Sequence, residues 1–423
     1  MTGRTAGERP DDSGAGRRRG SNLPAVGTYN QTLVLDLIRR VPDGLSRVEL
    51  AGRTGLSAQT LSNVTRRLAD AGLISEAGKV ISGPGKPRTL LTLNPTARYA
   101  VGVHLDPAVD TYVVVDLAGS VIRHAEYTPR AGAPEVLVAA VAETALELVD
   151  RSGIAADRVL GIGVAAPGPL DAEAGRLLDP PLLPSWHHID VRDRIAAASG
   201  LPVTLEKDVT AAVVGELWFD HAEELTDSMF VYYGAGVGVG LAVGGSPLRG
   251  RTGNAGNVAH LIVDPDGPPC PCGLRGCLGP SIEPRRLLRD AGLRSGSVSG
   301  SGGPGPDVRA ELDALSRLAA EGTEAAHRVL IRTADHLARA VTEVNNLLDL
   351  DIVVLGGPVW ARLSGSLAPR LRERLLANAA LTTTRPIELR ESRLGTDVAA
   401  VGAACLMLDR SFSARPEDLL ITP

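Results

Sequence analysis

Residues 260–280 read HLIVDPDGPPCPCGLRGCLGP, and they hold three of the four cysteines in the 423-residue chain. His260 stands ten residues before Cys270, and Cys272 and Cys277 follow at spacings of two and five. One imidazole and three thiolates are the ligand set of a closed, tetrahedral structural zinc site. The glycines and prolines between these residues favour a tight loop. The stretch therefore predicts that zinc, as a structural cofactor, holds this loop in place.

Two other interpretations of the cluster stay open, a redox cysteine pair and surface thiols with no common role. Four cysteines in so long a chain do not make a disulfide framework, and clustered thiols suit a reducing compartment such as the cytoplasm. The remaining cysteine, Cys405 in GAACLML, is expected to pack in a core.

Strand and helix patterns alternate on both sides of this loop. Before it come the strand VLGIGVAAPGPLD (159–171), the helix DVTAAVVGELWFD (208–220) and the strand–glycine turn–strand SMFVYYGAGVGVGLAVGG (228–245). After it come a long helical pattern over 326–349 and the strand DIVVLGG (351–357). This alternation predicts an α/β body over residues 96–423.

The first hundred residues have a different composition. They carry 15 Lys/Arg and 8 Asp/Glu, a balance of +7, in a chain whose formal net charge is −5. The rest therefore carries −12, and a basic module on an acidic body suits a polyanionic partner. Residues 1–21 are rich in Gly, Arg, Ser and Asp, so we expect a disordered tail. That tail has no apolar core, and no apolar stretch of about 18 residues occurs, so neither a secretory signal nor a membrane span is expected.

Residues 22–95 predict a winged helix-turn-helix. Ser46 and Glu49 form a capping box, and Gly55 marks a turn before a helix capped by Ser57. The inward face of that helix is apolar, whereas its outward face carries amides, hydroxyls and guanidiniums that suit base edges and phosphates in a major groove. The candidate DNA-binding residues here are Ser57, Gln59, Thr60, Asn63, Arg66 and Arg67.

A basic hairpin follows these helices. Residues 73–93 predict two strands around a Gly/Pro turn, and Lys86 and Arg88 are placed to touch the DNA backbone. The alternative is a small helical domain that binds only protein. The order of helix, capped helix, polar-faced helix and basic hairpin favours double-stranded DNA as the partner.

Together these features resemble the ROK family (repressors, open reading frames and sugar kinases), specifically its winged-helix repressor branch. The resemblance spans roughly residues 22–410 and rests on SRVELAGRTGLSAQTLSNVTRRLADAGLI, GPGKPRTLLTLN, GIGVAAPGPLD, GAGVGVG and HLIVDPDGPPCPCGLRGCL. It implies a two-lobed actin/hexokinase-like (ribonuclease H-like) body, with lobes at approximately 96–215 and 216–423. It also implies homodimers or homotetramers that bind a two-fold operator.

In the family, the cleft between the lobes binds a sugar and ATP in the kinases and senses a sugar or sugar phosphate in the repressors. The resemblance places the catalytic base at Asp208, and the glycine turn at 234–240 is intact. The first phosphate loop departs from the family pattern. Its segment is VHLDPAVDT, in which Pro107 has no N–H to offer phosphate.

The family's sugar contacts are also altered. Lys207 and Leu182 replace asparagines, and Asn257 and Gly279 replace glutamates. Losing several paired polar groups typically costs about 1–3 kcal/mol each. The residues that remain to line a ligand site in the cleft are Lys207, Asp208, Asn257 and His260.

Three functions follow from this pattern. The favoured one is a DNA-binding transcriptional repressor in the cytoplasm, with a sugar or sugar-phosphate effector and no kinase activity. The second is an ATP-dependent kinase of a hexose or an N-acyl amino sugar. The third is a DNA-bound scaffold without small-molecule input.

Overall fold

The protein is seen in a computed structural model that describes residues 23–80, 88–294, 306–378, 380–381 and 385–413. A winged helix-turn-helix precedes two five-stranded sheets with helices packed against them. The predicted α/β class and the N-terminal winged helix are therefore confirmed. The predicted tail at 1–21 lies outside the described residues. None of the described helices is both long and apolar enough to cross a membrane.

The winged helix is built from three helices and a small sheet with strand order β1–β3–β2. The predicted capping box is present, since the Ser46 side chain accepts the backbone N–H of Glu49 and Glu49 in turn accepts that of Ser46. Gly55 ends the second helix with a positive φ of 69°, where glycine meets no steric cost. The elements are α1 (Leu23–Arg39), β1 (Leu45–Ser46), α2 (Arg47–Thr54), α3 (Ala58–Asp70), β2 (Ile74–Val80) and β3 (Arg88–Leu93).

The first lobe of the body is a mixed sheet with strand order β10–β7–β4–β5–β6. Strands β4, β7 and β10 run parallel to one another, so their carboxyl ends share one edge, and β5 and β6 are antiparallel additions. Its elements are β4 (Tyr99–His104), β5 (Asp110–Asp116), β6 (Val121–Tyr127), α4 (Pro134–Arg151), β7 (Val159–Ala166), β8 (Leu170–Asp171), β9 (Arg176–Leu177), α5 (Val191–Ser199), β10 (Val203–Lys207) and α6 (Asp208–Phe219).

The second lobe has the strand order β13–β12–β11–β14–β15 and carries most of the remaining helices. Its strands β11 and β14 are parallel and fully buried, as their continuous apolar runs require. The elements are β11 (Ser228–Tyr233), β12 (Val237–Val243), β13 (Ser246–Pro247), α7 (Leu278–Ser281), α8 (Pro284–Asp290), α9 (Pro306–Ala320), α10 (Glu324–Leu348), β14 (Ile352–Gly356), α11 (Trp360–Leu376), β15 (Glu388–Glu391) and α12 (Val398–Phe412).

The last helix, α12, returns to the first lobe and packs on its sheet and on α6. Glycines make this contact close. A Cβ on Gly102 would lie 1.9 Å from the carbonyl oxygen of Ala400, and one on Gly402 would lie 1.9 Å from that of Ala211. The carboxyl end of the predicted second lobe thus shares its core with the first sheet.

The winged helix docks on the body through the end of α1. The Arg39 guanidinium lies 3.8 Å from the ring centre of Trp218 and donates to the carbonyl oxygen of the same residue. Asp36 accepts from Arg39 at 2.6 Å, and Arg40 reaches Glu223 of the body at 3.2 Å. The buried apolar residues of α1 and of α12 belong to one continuous core, so the DNA-binding module and the body are packed together.

Candidate functional site

The predicted metal ligands come together in one loop. The four ligand atoms of His260, Cys270, Cys272 and Cys277 all lie within 4.8 Å of one another. His260 Nδ1 is 3.4 Å from Cys270 Sγ, and the sulfurs of Cys272 and Cys277 are 3.7 Å apart. A tetrahedral zinc ion with Zn–S bonds of about 2.3 Å needs sulfurs about 3.8 Å apart. The geometry therefore fits such an ion.

The loop reaches this shape through backbone contacts and one glycine. Gly276 has a φ of 69°, and a Cβ there would lie 1.4 Å from the carbonyl oxygen of Asp264. The N–H of Cys270 donates to Leu274 at 2.8 Å, and that of Gly276 donates to Pro268 at 2.8 Å. These bonds turn the chain back on itself, which brings the thiols to one side.

Charge also argues for a cation at this cluster. A backbone hydrogen bond from Leu274 lowers the pKa of Cys272, whereas burial and the neighbouring thiols raise the pKa of Cys277 to about 12. Three thiols this close cannot all ionise without a positive charge beside them. The donor set is thus suited to a metal, and all four cysteines of the chain are free of disulfides. Cys405 is buried in α12, as predicted for a core residue.

The predicted cleft residues Lys207 and Asp208 lie where β10 ends and α6 begins, at the carboxyl edge of the first sheet. The Lys207 ammonium donates to the carbonyl oxygens of Asn254 at 3.2 Å and Ala255 at 2.9 Å. Burial lowers the pKa of Lys207, and the Asp208 carboxylate opposes that shift. Burial raises the pKa of Asp208, and the neighbouring His104 and Lys207 side chains oppose that shift. Lys207 thus crosses the cleft and ties its two sides together.

Three backbone amides are occupied in the segment at the position of the first phosphate loop. The N–H of Leu105 donates to the carbonyl oxygen of Ala165 at 2.9 Å. The N–H groups of Asp106 and Ala108 donate to the carboxylates of Asp110 at 3.3 Å and Asp106 at 2.8 Å. Proline at 107 has no N–H, so none of the residues 105–108 offers a free amide, and two carboxylates lie in the loop. Such a loop repels phosphate.

The other two predicted ligand residues are solvent-exposed. Asn257 makes no hydrogen bond with any other described residue, and His260 belongs to the cysteine cluster. Leu182 lies against the glycine turn, with its Cδ1 3.1 Å from where a Cβ on Gly236 would be. An apolar side chain therefore occupies the position at which the resemblance to the family indicated that an asparagine has been replaced.

Several cleft residues were missed by the sequence reasoning. His104 ends β4, which β7 separates from β10, and packs edge-on against Tyr232, with ring centres 6.0 Å apart. Arg249 donates to the buried Glu206 at 2.6 Å. Only His104 had a usable signal, because ligands of α/β sheets bind at the carboxyl ends of strands. The Arg249 pair joins residues 43 positions apart, which no local pattern shows.

The predicted DNA-reading residues lie on α3 or its cap. Ser57 caps the helix by accepting the N–H of Thr60 at 3.1 Å, and Leu61, Val64 and Leu68 are buried. Gln59, Arg66 and Arg67 are exposed, and Thr60 and Asn63 are half-buried. Arg66 donates to the Asn63 side chain at 3.1 Å, which orders both groups. The amphipathic helix thus presents the predicted polar face.

The wing is only partly described. Strands β2 and β3 pair antiparallel as predicted, and Arg88 is exposed at the start of β3. Lys86 lies outside the described residues.

The fold and these sites define a winged-helix DNA-binding module on a two-lobed body with a His–Cys loop. Comparisons with known proteins agree, since the profile of the MarR family matches residues 28–78 and that of the ROK family matches residues 108–410. The chain belongs to the ROK family.

Similar proteins include both enzymes and repressors. The chain is 31% identical to the glucokinase of Thermotoga maritima over 279 residues, 65% of this chain and 86% of that protein. It is 26% identical to the xylose repressor of Bacillus spizizenii over 275 residues, 65% of this chain and 71% of that protein. A solved ROK family transcriptional regulator, a homologue of the E. coli Mlc protein, superposes with a TM-score of 0.71 at 24% identity. That match covers 92% of this chain and 97% of the other, so it shows the same fold throughout.

Proposed function

We propose that this protein is a DNA-binding transcriptional repressor of the ROK family that acts in the cytoplasm. Helix α3 enters the major groove, where Gln59, Thr60 and Asn63 meet base edges and the arginines meet phosphates and guanine. A homodimer, or a tetramer of such dimers, binds a two-fold operator. The observation that carries this proposal is the polar outer face of α3 on a winged helix docked to the body.

The body is proposed to sense a sugar or sugar phosphate rather than to phosphorylate it. Phosphoryl transfer needs a cradle for the ATP phosphates as well as a base for the sugar hydroxyl. Asp208 keeps the base position, but in the loop at 105–109 the amides of Asp106 and Ala108 donate to carboxylates and residue 107 is proline. The loss of the cradle therefore supports a sensor.

The metal is proposed to be zinc, held by His260, Cys270, Cys272 and Cys277. Four protein ligands leave no open coordination position, so the ion would stabilise the loop and would not activate water. Its binding energy would go into the folding of residues 260–278.

The repressor proposal is tested by fluorescence anisotropy with DNA from the upstream region of the protein's own gene. Arg67→Ala should weaken binding to all sequences about equally and reduce the slope of log affinity against log salt by about 1, as expected for one phosphate contact. Asn63→Ala should cost about 1–3 kcal/mol and relax base preference at one position.

Arg123→Ala is the matched control, because Arg123 is an exposed arginine on β6 of the body. It should leave the affinity and the salt slope unchanged. Failure of the wild-type protein to bind that region, or any other genomic fragment, at low salt would contradict the proposal.

Kinase activity is the second candidate, favoured by the retained Asp208 and by the similarity to a glucokinase. A coupled ADP-release assay with hexoses and N-acyl amino sugars tests it. We expect no turnover above background. Turnover that disappears in Asp208→Asn would show that the protein is a kinase.

A further inference from the structure

The first lobe contains a second pocket on the face of its sheet that packs against α4. The pocket lies between the start of β5, the end of β6 and α4, and it encloses about 490 Å³ together with its open mouth. Six side chains give it its chemistry, namely Asp110, Tyr112, Tyr127, Arg130, Thr144 and Trp186. None of them is a predicted residue of the cleft, the zinc loop or the DNA-binding helix.

Two opposite charges line this pocket without pairing with each other. Asp110 accepts one hydrogen bond, from the N–H of Asp106 at 3.3 Å, and no cation of the described residues lies within 4.0 Å of its carboxylate. Arg130 is exposed and has no carboxylate within the same distance among those residues. The pocket therefore holds a free hydrogen-bond acceptor and a free donor on one wall.

Aromatic rings form the rest of the wall. Tyr112 and Tyr127 meet edge to face, with ring centres 5.6 Å apart and planes at 85°. Tyr127 is 39% exposed and stands at the mouth, whereas Trp186 is buried at the base. Thr144 on α4 lies beside Tyr112 in the lining of the pocket. Flat apolar faces thus adjoin a carboxyl group, a guanidinium and hydroxyls.

We propose that this pocket is a binding site for a neutral monosaccharide. A sugar hydroxyl can donate to Asp110 while another accepts from Arg130, and the C–H face of the ring can lie on an aromatic side chain. A lone ammonium ligand is disfavoured by Arg130, and a phosphate is disfavoured by the Asp110 carboxylate.

The pocket adjoins the cleft through one loop. Asp110 holds the N–H of Asp106, and the segment between them has replaced the phosphate loop at the cleft edge. A sugar bound to Asp110 would contact the residue that holds this segment, on the side of the segment away from the cleft. This inference goes beyond the repressor proposal, because sugar binding here requires neither DNA nor a functional cleft.

Binding should depend on pH. Burial raises the pKa of Asp110 to about 7, the Asp106 N–H opposes that shift, and the Asp106 carboxylate adds to it. The other titratable groups that line the pocket are Tyr112, Tyr127 and Arg130. A hydroxyl that donates to Asp110 favours the ionised carboxylate, so affinity should increase from pH 6 to pH 8.

The test is a titration of the full chain with D-glucose, D-xylose and N-acetyl-D-glucosamine, followed by saturation-transfer NMR and calorimetry. Glycine and inorganic phosphate serve as charged comparison probes. Tyr127→Ala and Arg130→Gln remove rim groups that are solvent-exposed, so both variants should fold. Arg123→Gln is the matched surface control, because Arg123 lies on the same strand as Tyr127. Asp208→Asn reports whether a sugar binds in the cleft.

We expect at least one of the three sugars to bind. Its affinity should fall about tenfold in Tyr127→Ala and in Arg130→Gln, the loss expected for one charged hydrogen bond or one aromatic contact. The Arg123→Gln variant should bind as the wild type does. The proposal is overturned if no sugar binds, if Asp208→Asn alone abolishes binding, or if only glycine or phosphate binds.

Discussion

At the scale of single residues, Lys207 shows how one substitution reshapes the cleft. Its ammonium does not face an open site, because it donates to the carbonyl oxygens of Asn254 and Ala255 across the cleft. Its charge is thereby used to hold two segments of the protein together. A ligand that entered beside Asp208 would have to fit around these hydrogen bonds of Lys207 or break them.

The half-buried carboxyl of Asp110 gives a prediction about pH and stability. Its pKa is raised from an ordinary value near 4 to about 7, so the folded state holds the proton more tightly than the unfolded chain. This contribution to the free energy of unfolding is fully present below about pH 4 and is lost as the pH rises through about 7. Asp110→Asn should remove that dependence, and at pH 8 it should be more stable than wild type by up to a few kcal/mol.

Urea unfolding of both proteins between pH 4 and pH 8 checks this prediction. The exposed Asp157 offers a control, since Asp157→Asn should change stability little and equally at each pH. If the difference in free energy of unfolding between the wild type and Asp110→Asn stays constant with pH, the prediction is wrong.

At the scale of elements, α12 fits the first sheet only because glycines let the backbones approach. Gly102→Ala should lower the free energy of unfolding by about 3 kcal/mol or more, because its new Cβ would meet the Ala400 carbonyl oxygen at 1.9 Å. Gly365 lies exposed inside α11 with nothing within 4 Å, so Gly365→Ala should stabilise the protein by about 0.5–1 kcal/mol. Denaturant unfolding measures the stability of both variants. Equal changes in the free energy of unfolding in Gly102→Ala and Gly365→Ala would contradict the packing explanation.

The loop of His260 and the three cysteines should depend on its metal. We expect about one zinc per chain by elemental analysis, and we expect Cys277→Ser to lose the metal and lower the melting temperature. A chelator should have the same effect on the wild type. Cys405→Ala removes the one cysteine outside the loop, so it should keep the zinc. Zinc retained in Cys277→Ser, or absent from the wild type, would contradict the assignment.

At the scale of the whole molecule, α6 links the cleft to the DNA-binding module. The helix begins at Asp208 in the cleft, and near its other end Trp218 receives Arg39 of the winged helix. It is buried along nearly its whole length, and α12 packs tightly against it. One buried helix therefore contacts both the cleft and the docking surface of the winged helix.

Replacing Arg39 should loosen the docking of the winged helix. Burial lowers the pKa of Arg39 and Asp36 opposes that shift, so its charge is held by Asp36 and by the carbonyl and ring of Trp218. Arg39→Met should leave Asp36 without this partner and increase hydrogen–deuterium exchange in α1 about tenfold or more. Arg47→Met removes an exposed pair with Glu76 and a hydrogen bond to Thr65, both inside the winged helix, and should leave exchange in α1 unchanged. No change in α1 in the Arg39 variant would show that the contact does not hold the domains.

The sequence predicted those parts of the protein that depend on neighbouring residues. The Ser46–Glu49 capping box, the cap at Ser57 and the polar face of α3 follow from helical periodicity. The ligand set of the metal loop follows from close spacing, and Pro107 already excluded an ordinary phosphate loop. In each case the residues that interact are within about a turn or a loop of one another, so a local pattern contains the information.

Only the tertiary structure brought distant residues together. The pairing of Arg249 with Glu206, the contact of Arg39 with Trp218 and the return of α12 to the first sheet join residues that are 43 to about 300 positions apart. The sequence therefore determined the two modules and the metal loop. Chain packing decided the tether of Lys207, the pocket at Asp110 and the position of α6 between the cleft and the winged helix. The burial, the pairing and the pKa of a side chain depend on residues that are close in space but distant in the sequence.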